Sequence, residues 1–462
     1  MKLRNWQREC ITQALEHFES RSHFFCQATP GAGKTTMATE LAAKLYEDGK
    51  VDFVLCFSPS VSVSNGFHTA LSKRFDRRFD GRVGAIGGTY TYQSMAFLND
   101  EFWQILDHHK VLVIFDEIHH CSGRSEEDSN SWGEKILQHV KNKATYTLAL
   151  SGTPWRSDNT AIVLSKETPP IECDYQYSLL NAVQDNVCRK PKVVLIDNEK
   201  LILSTSKIKS KHFTSISNLL NEPSVNYSLI LNDPKAVLYL LKMGCAKLGT
   251  IREVNRDAGG LIVASSVSHA EMILKVLTQE LGQSAVLVSY KIPDAHQIID
   301  SFRRSGIQWI VSVGMISEGT DIPRLQVCCH LSNIKTELYF RQVLGRILRV
   351  SNASNQEAWL YTFAEHKLTE YAKQIEKDIP DSYLLVNSGR NDVNHKLGEA
   401  KPTAQIFLKN ELLGNESSLT FGQSVDVNAD KTHDSEFFNI DLLGNYREEI
   451  ISAFESPFSS SS

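Results

Sequence analysis

Two stretches of this chain alternate short, β-rich apolar runs with segments of helical period. The first, between Phe24 and Pro154, contains the runs HFFCQ, FVLCFS, VLVIFDE and TYTLALSG. The second contains PKVVLID, GGLIVASS, SAVLVSY, QWIVSVG, VCCHLS and AWLYTF. Such alternation is typical of parallel sheets that carry helices on both faces. We therefore predict an α/β chain with two similar domains in tandem.

The length of 462 residues also favours two domains plus an appendage, because a single hydrophobic core rarely spans so long a chain. We predict domains at residues 1–180 and 181–390, followed by a partly flexible extension at 391–462. Residues 204–232 are rich in Ser, Asn and Lys, which predicts an inserted loop or a small helical piece. Its lysines form either a solvated face or a nucleic-acid contact: Lys207, Lys209 and Lys211.

The composition indicates an ordinary globular protein, with 42 % apolar and 22 % charged residues. No run approaches the roughly 18 uncharged residues that a membrane span needs. The amino terminus, MKLRNWQREC, lacks the apolar core of a secretion signal, so we expect a cytoplasmic protein with no membrane partner. Nine cysteines without a repeating spacing are typical of reduced thiols.

The net charge of −5 is concentrated in the C-terminal extension. From Asp392 to Ser462 there are 12 acidic and 5 basic residues, so the rest of the chain is close to neutral. A nearly neutral body is compatible with nucleic-acid binding, since a local basic groove decides the affinity. We expect the extension to recruit a protein partner or to compete with nucleic acid. Its last segment, FFNIDLLGNYREEIISAF, is predicted to form an amphipathic helix that docks on the body or on a partner.

The segment ATPGAGKT, at residues 28–35, lies between a strand-like run and a helical segment. A glycine-rich turn in this position points backbone N–H groups inward at the positive end of the helix dipole, and so binds phosphate oxygens. We expect Lys34 to reach the terminal phosphates of a nucleotide and the Thr35 hydroxyl to bind magnesium.

The run VLVIFDEIHH ends in two adjacent carboxylates, Asp116 and Glu117. If this strand ends beside the glycine-rich turn, Asp116 holds magnesium through water and Glu117 orients the attacking water, as phosphoryl transfer requires. An acidic turn after a core strand is the alternative interpretation. It leaves the presence of GKT earlier in the chain unexplained.

These motifs resemble those of superfamily 2 helicases and translocases, whose paired RecA-like domains often carry A-x-x-G-x-G-K-T and D-E-x-H. Ala28 occupies a position where this family commonly has alanine instead of glycine, and residues 116–119 match the DEAH-type form of the second motif. The resemblance covers residues 3 to about 365. It implies that ATP is hydrolysed with magnesium in the cleft between two RecA-like domains, on a nucleic-acid partner.

Further segments match other motifs of the family in their usual order. They are Gln7 in LRNWQREC (adenine edge), SPSVSVSNGF at 58–67 and GTYTYQSM at 88–95 (nucleic-acid backbone), SGTPWR at 151–156, VGMISEGTDIP at 313–323 and QVLGRILR at 342–349. The resemblance implies nucleotide contacts from Thr29, Gly31, Ala32, Gly33, Thr36, Gly319 and Asp321, and a catalytic contribution from Gln342.

Arg346 and Arg349 are three residues apart in the last of these motifs, which predicts that both lie near one face of a helix. From there they can reach across a cleft to a phosphate held by the other domain. In other phosphate-loop enzymes such arginines raise the rate on the order of a thousandfold or more. Without the other motifs, an exposed surface pair would be the preferred interpretation of these two arginines.

The motif set resembles most closely the branch with XPB-like helicases and type III restriction motor subunits, which act mostly on DNA. Gln342, Val343 and Leu348 depart from the pattern of the DEAD-box branch and disfavour RNA unwinding. An ATP-gated subunit that binds or remodels nucleic acid without separating strands is the main alternative. A phosphate-loop ATPase with no nucleic-acid role is a third.

Several other residues have simpler interpretations. Trp309, Cys328 and Cys329 lie in apolar runs and are predicted core residues. The sequence Glu365-His366-Lys367 has the E-x-K spacing of some nucleases, but three residues are weak evidence and a solvated helix face is the preferred interpretation. Three aromatic residues near the predicted motifs suit either base stacking or core packing: Phe67, Tyr92 and Trp155.

Overall fold

A computed structural model of the chain describes residues 2–122, 129–152, 162–164, 173–205, 208–316, 322–351, 353, 355–377, 385–387, 438–442 and 445–452. These residues form two mostly parallel sheets with helices packed on them, which confirms the predicted α/β class. None of the helices in these ranges has the length and apolar character required to cross a membrane.

The first sheet contains six parallel strands in the order β3-β2-β4-β5-β1-β6. Its elements are α1 (Asn5–His17), β1 (His23–Ala28), α2 (Lys34–Glu47), β2 (Phe53–Ser58), α3 (Val61–Phe75), β3 (Gly87–Thr91), a 3-10 helix (Tyr92–Phe97), α4 (Asp100–Trp103), α5 (Ile105–His108), β4 (Val111–Asp116), a 3-10 turn (Ile118–His120), α6 (Ser131–Lys135) continued by a π-helical turn (Ile136–Val140), β5 (Tyr146–Ser151) and β6 (Tyr175–Tyr177).

Side-chain alternation along β4 explains why this sheet is covered on both faces. Leu112 and Ile114 pack into one apolar cluster, which includes residues of α1 and α2. Val113 and Phe115 pack into a second cluster on the opposite face. Because every residue of β4 is buried, its sequence is a continuous apolar run, as expected for the centre of a parallel sheet. Because the six strands are parallel, their carboxyl ends lie at one edge of the sheet. The polar residues at the ends of β1 and β4 lie at this edge.

The second sheet has eight strands in the order β11-β12-β10-β13-β14-β7-β17-β15, and a smaller antiparallel sheet has the order β16-β8-β9. Their elements are α7 (Leu179–Gln184), β7 (Lys190–Asn198), β8 (Leu201–Thr205), β9 (Ile208–Phe213), α8 (Ile216–Leu220), α9 (Tyr227–Leu231), α10 (Pro234–Val254), β10 (Gly259–Ala264), α11 (Val267–Lys275) continued by a π-helical turn (Val276–Glu280), β11 (Ala285–Ser289), α12 (Ala295–Arg304), β12 (Trp309–Val313), β13 (Leu325–Leu331), α13 (Glu337–Ile347), β14 (Glu357–Phe363), α14 (His366–Lys377), β15 (Leu385–Asn387), β16 (Phe438–Leu442) and β17 (Tyr446–Ser452).

Every strand-like run named in the sequence forms a strand, and Trp309, Cys328 and Cys329 are buried core residues as predicted. The segment 204–232 differs in part from its prediction. It contains the short helices α8 and α9, but its first residues belong to the β8–β9 hairpin. Lys211 forms an ion pair with Glu222 at 3.0 Å, while Lys207 lies outside the described residues. The domain boundaries at residues 180 and 390 stay predictions.

The prediction of a C-terminal amphipathic helix is wrong, although the segment does dock on the body. Its residues form β16, which pairs with β8, and β17, which runs antiparallel to β7. The physical reason is that β7 offers an unpaired edge, whose N–H and C=O groups need partners. Pairing along that edge outweighs the weak helical pattern of a short segment.

Side chains of β17 fix its register against the second sheet. Tyr446 stacks on Tyr239 of α10 with ring centroids 3.9 Å apart, and the Tyr239 hydroxyl donates to Glu448 at 2.7 Å. Arg447 donates two hydrogen bonds to the Asp197 carboxylate of β7. The described end of the chain is thus an integral part of the second sheet.

Replacement of Ile451 by Ala tests this assignment, because Ile451 is buried in β17 and its neighbour Ile450 is only partly buried. We expect Ile451→Ala to lower the free energy of unfolding by about 2–5 kcal/mol. Ile450→Ala in the same strand is the matched control and should cost clearly less. Urea unfolding measures both. Equal or negligible effects contradict a strand packed in this register.

Candidate active site

The glycine-rich turn lies at the carboxyl edge of the first sheet, between the end of β1 and the start of α2. Gly31 and Gly33 have φ angles of 83° and 95°. Only glycine adopts this left-handed region without strain, so both positions need glycine for the turn to form. Gly33 directly precedes Lys34, the first residue of α2. The backbone N–H groups of the turn therefore lie next to the free N–H groups at the N-terminal, positive end of α2.

Helix α1 holds this turn from the side. The Arg4 guanidinium donates to the Ala32 carbonyl at 2.6 Å, and the Gln7 amide donates to the Gly33 carbonyl at 2.9 Å. The Gln7 side-chain oxygen accepts from the Arg4 backbone N–H at 2.9 Å, so both ends of its amide are engaged. The contact of Gln7 with adenine stays a prediction. Arg4 was missed by the sequence analysis, although its position three residues before Gln7 was a usable signal.

Lys34 and Glu117 form an ion pair across the site, with Nζ and Oε1 3.2 Å apart. The Lys34 ammonium also donates to the Ala28 carbonyl at 3.1 Å. Burial by itself raises the pKa of Glu117, but the charge of Lys34, the charge of His119 and the Gly152 N–H together lower this pKa to about 2. Glu117 is therefore a carboxylate at neutral pH.

Glu117 has a φ angle of 51°, in the left-handed region that non-glycine residues adopt only at a cost. Its carboxylate accepts from the Gly152 N–H at 3.0 Å, and the neighbouring His119 ring bonds to the Ser151 hydroxyl at 2.9 Å. Ser151 ends β5 and Gly152 follows it. The strained turn after β4 is thus held by the end of the adjacent strand.

Asp116 and Thr35 both line the cavity beside Lys34. Asp116 is the last residue of β4, and its carbonyl accepts from the buried Tyr92 hydroxyl at 2.8 Å. A carboxylate and a hydroxyl at one cavity are the hard oxygen ligands that magnesium prefers, and they leave room for water and phosphate oxygens. The donor set therefore fits magnesium, and the assignment of Asp116 and Thr35 to this ion stays a prediction.

We call the first sheet with its helices the first unit, and the second sheet with its helices the second unit. The second unit contributes α13 and the residues that follow it to the candidate site. Gln342 and Arg346 lie on α13, but this helix ends at Ile347. Arg349 therefore lies beyond the helix, in a β-bridge with Cys188, and the prediction that both arginines share a helix is wrong for Arg349. The chain turns after Leu348 because residue 349 pairs with the segment that links the two sheets.

The two units touch at the glycine-rich turn. A Cβ atom added to Gly345 would lie 2.5 Å from Cβ of Pro30, and one added to Gly31 would lie 3.3 Å from Cγ of Arg349. The Cys188 thiol lies 3.6 Å from the Pro30 carbonyl oxygen. Glycine at position 345 is thus what permits α13 to approach the loop this closely.

A cavity of about 480 Å³ opens between the units at this contact. Its size is that of a small-molecule site. From the first unit it is lined by Arg4, Pro30, Gly31, Gly33, Lys34, Thr35, Pro59, Ser62, Val63, Gly66, Asp116 and Glu117, and from the linking segment and the second unit by Val187, Pro323, Gln342, Arg346, Arg349 and Val350. The cations Arg4, Lys34, Arg346 and Arg349 outnumber the two carboxylates, which favours a polyanionic ligand.

The remaining predicted residues fall in three groups. Thr29 and Ala32 are buried within the turn, and Thr36 lies in the first turn of α2. Within 58–67, several residues line the cavity, whereas the aromatic Phe67 is buried in the core, as is Tyr92. Residues outside the described part of the chain are Gly319, Asp321 and residues 153–156 with Trp155.

Glu365 has a structural role. Its carboxylate accepts from the backbone N–H groups of Lys367 and Leu368, at 2.9 and 3.1 Å, and so caps the start of α14. It also pairs with Lys335 at 3.3 Å. The E-x-K spacing is accounted for by helix capping.

Comparison with known families gives two matches along the chain. Residues 1–156 match the family described as the res subunit of type III restriction enzymes, and residues 243–351 match the helicase conserved C-terminal domain. The two matches divide between the first and the second sheet.

Similar proteins include an uncharacterised protein of Mycobacterium leprae, 28 % identical over 413 residues, which are 86 % of this chain and 67 % of that protein. The DNA 3'-5' translocase XPB2 of Sulfurisphaera tokodaii is 25 % identical over 377 residues, which are 76 % of this chain and 79 % of that protein. For a similar protein of Mycobacterium tuberculosis, the match covers only 63 % of that protein's length.

Among solved structures, a fragment assigned as the HsdR subunit of a type I restriction enzyme from Vibrio vulnificus superposes with a TM-score of 0.57 at 16 % identity. The match covers 80 % of this chain and 65 % of that one. This likeness confirms the predicted fold of two RecA-like units. The two family matches and the similarity to XPB2 confirm the predicted resemblance to superfamily 2 helicases, in the branch with XPB-like helicases and type III restriction motor subunits.

Proposed function

We propose that this protein is an ATP-dependent nucleic-acid helicase or translocase that hydrolyses ATP in the cavity between its two units. One observation carries the proposal: Lys34 and Glu117 of the first unit face the same cavity as Arg346 and Arg349 of the second. A site divided in this way has its full charge only when the units are together, so hydrolysis and the relative position of the units depend on each other.

In this proposal the turn at Gly31–Gly33 and the Lys34 ammonium bind the phosphates of ATP. Magnesium, held by Thr35 and Asp116, neutralises part of the phosphate charge when it is bound. Glu117 orients the attacking water as a carboxylate, the form that it has here beside Lys34 and the Gly152 N–H. When the phosphates attract Lys34, the Glu117 carboxylate exchanges that partner for the water.

Arg346 and Arg349 stabilise the negative charge that develops on the transferred phosphoryl group. The stem of Arg349 packs at the van der Waals surface of Gly31, so its guanidinium starts from a position beside the phosphate loop. Gln342, one turn before Arg346 on α13, is proposed to contact the phosphate or the water. Gly319 and Asp321 are proposed to contribute from the segment that precedes Pro323.

DNA is proposed as the nucleic-acid partner. The support is the similarity to a DNA translocase over most of both chains, together with the departures from the DEAD-box pattern at Gln342, Val343 and Leu348. Backbone contacts from the segments 58–67 and 88–95 would confer little sequence preference. A protein partner is proposed for the acidic part of the extension before residue 438, because β16 and β17 are occupied in pairing with the body.

Replacement of Lys34 by Ala is expected to reduce ATP hydrolysis by at least about 100-fold, because the terminal phosphates lose their principal cation. Lys44→Ala is the matched control, since Lys44 is exposed in the last turn of the same helix. A coupled ATPase assay measures both, and thermal unfolding checks that each variant is folded. Wild-type rates in Lys34→Ala would refute the site.

Replacement of Gly345 by Ala is expected to lower kcat by about 10- to 100-fold, because the new methyl group would overlap Pro30 and displace Arg346 by a fraction of an ångström to an ångström. Gly249→Ala is the control, since a Cβ atom at this helical glycine of α10 has nothing within 4 Å. Single-turnover hydrolysis measures the effect. Equal rates for the two variants would show that the close approach is irrelevant to catalysis.

Nucleic acid is expected to stimulate hydrolysis, with single-stranded or duplex DNA more effective than RNA. Rates measured side by side with the three nucleic acids test this, and the Lys34→Ala variant gives the background. A rate indifferent to all three contradicts the proposed function. A strand-displacement assay then separates a helicase from the alternative, an ATP-gated subunit that is stimulated by nucleic acid but never separates strands.

A further inference from the structure

Arg189 is a fully buried arginine at the end of the segment that links the two sheets, one residue before β7. Among the described residues, no carboxylate lies within ion-pair distance of its guanidinium. Burial lowers the pKa of Arg189 to about 10, so the group is still charged at neutral pH. A buried charge without a counter-ion is costly, and it persists only where hydrogen bonds compensate for the lost water.

Those hydrogen bonds all lead to two short segments of the second unit. One guanidinium nitrogen donates to the carbonyls of Leu325 and Ile347, and the other donates to the Pro323 carbonyl and the Ser351 hydroxyl, each at 2.9 Å. The Arg189 backbone N–H donates to the Leu348 carbonyl at 2.6 Å. One side chain and its own main chain thus engage five groups.

Most of these acceptors lie beside residues that line the cavity, or line it themselves. Ile347 directly follows Arg346, while Leu348 and Ser351 lie on either side of Arg349. Pro323, on the other segment, lines the cavity itself. Arg189 therefore fastens the main chain on both sides of the two arginines and joins it to the segment that precedes β13.

We propose that Arg189 is a positioning residue: its guanidinium holds residues 347–351 so that Arg346 and Arg349 face the phosphates, and couples them to the segment ending at Pro323. The inference rests on the proposed function and adds to it a group that never touches ATP. The guanidinium bonds four acceptors through two nitrogens, whereas a lysine ammonium has three donors on a single nitrogen and cannot bond all four, so Arg189→Lys weakens the attachment of both segments.

Arg252 of α10 provides a control in the same unit. Its side chain is partly buried, and its guanidinium donates to the carbonyls of Ala258 and Gly306. Neither acceptor lines the cavity or belongs to residues 323–325 or 347–351. Arg252→Lys therefore reports the consequence of loosening an arginine that bonds main-chain carbonyls in the second unit, without releasing the segments that Arg189 holds.

The experiment compares Arg189→Lys with Arg252→Lys in the full chain. For Arg189→Lys we expect kcat to fall about 10- to 100-fold with KM for ATP nearly unchanged. Affinity for ADP with aluminium fluoride, which mimics the transferring phosphoryl group, should fall by a similar factor, while affinity for ADP stays the same. Arg252→Lys should keep kcat within about twofold even where it lowers the melting temperature equally.

Equal losses of kcat in both lysine variants would overturn the proposal, because they would reduce the role of Arg189 to general stability. So would an unchanged kcat in Arg189→Lys. If Arg189→Lys does not fold, Ser351→Ala decides instead: it removes one acceptor, and a severalfold loss of kcat at constant KM supports the proposal, whereas a wild-type kcat overturns it. Absence of hydrolysis in the wild-type protein refutes the proposed function itself, which separates the two failures.

Discussion

The contact between Pro30 and two glycines is the constraint on which the site depends. An added Cβ atom on Gly345 would lie 2.5 Å from Cβ of Pro30, so α13 reaches the glycine-rich turn only because this residue lacks a side chain. One on Gly152, at the end of β5, would lie 3.2 Å from Pro30, which is a tight contact. The thiol of Cys188 lies against the carbonyl of the same proline. Protein interiors are close-packed, and a change of one methyl group at such a contact is transmitted to the elements around it. The cavity is the space left beside this contact.

The charged residues that line the cavity set its electrostatic character. The excess of cations favours a polyanion, whereas the Lys34–Glu117 ion pair keeps one carboxylate charged within this positive surrounding. Glu117 adopts a left-handed backbone conformation, which is unfavourable, and the Gly152 N–H together with Lys34 stabilises it there. Strain held in this way is frequent at functional sites because surrounding contacts over-determine the geometry.

Most of the fold and part of the site were predictable from local patterns. The central strands were predictable because a strand that is buried on both faces is a continuous apolar run. Such a run can be recognised without knowing which strands pair with it. Strands β3 and β17 were missed because one begins with two glycines and the other forms only where β7 offers an edge. Arg4 and Arg189 were missed because their acceptors lie 28 and more than 130 residues away in the chain.

The sequence alone determined the α/β class, the phosphate loop and the adjacent acidic pair, because each is a local property of spacing, polarity and backbone freedom. Only the tertiary structure decided which surfaces meet: that Arg349 leaves its helix to pair with Cys188, that the C-terminal segment becomes a strand, and that Gly345 faces Pro30. These contacts join residues far apart in the chain, and their free energy exists only when the tertiary structure has formed. No local pattern carries that information.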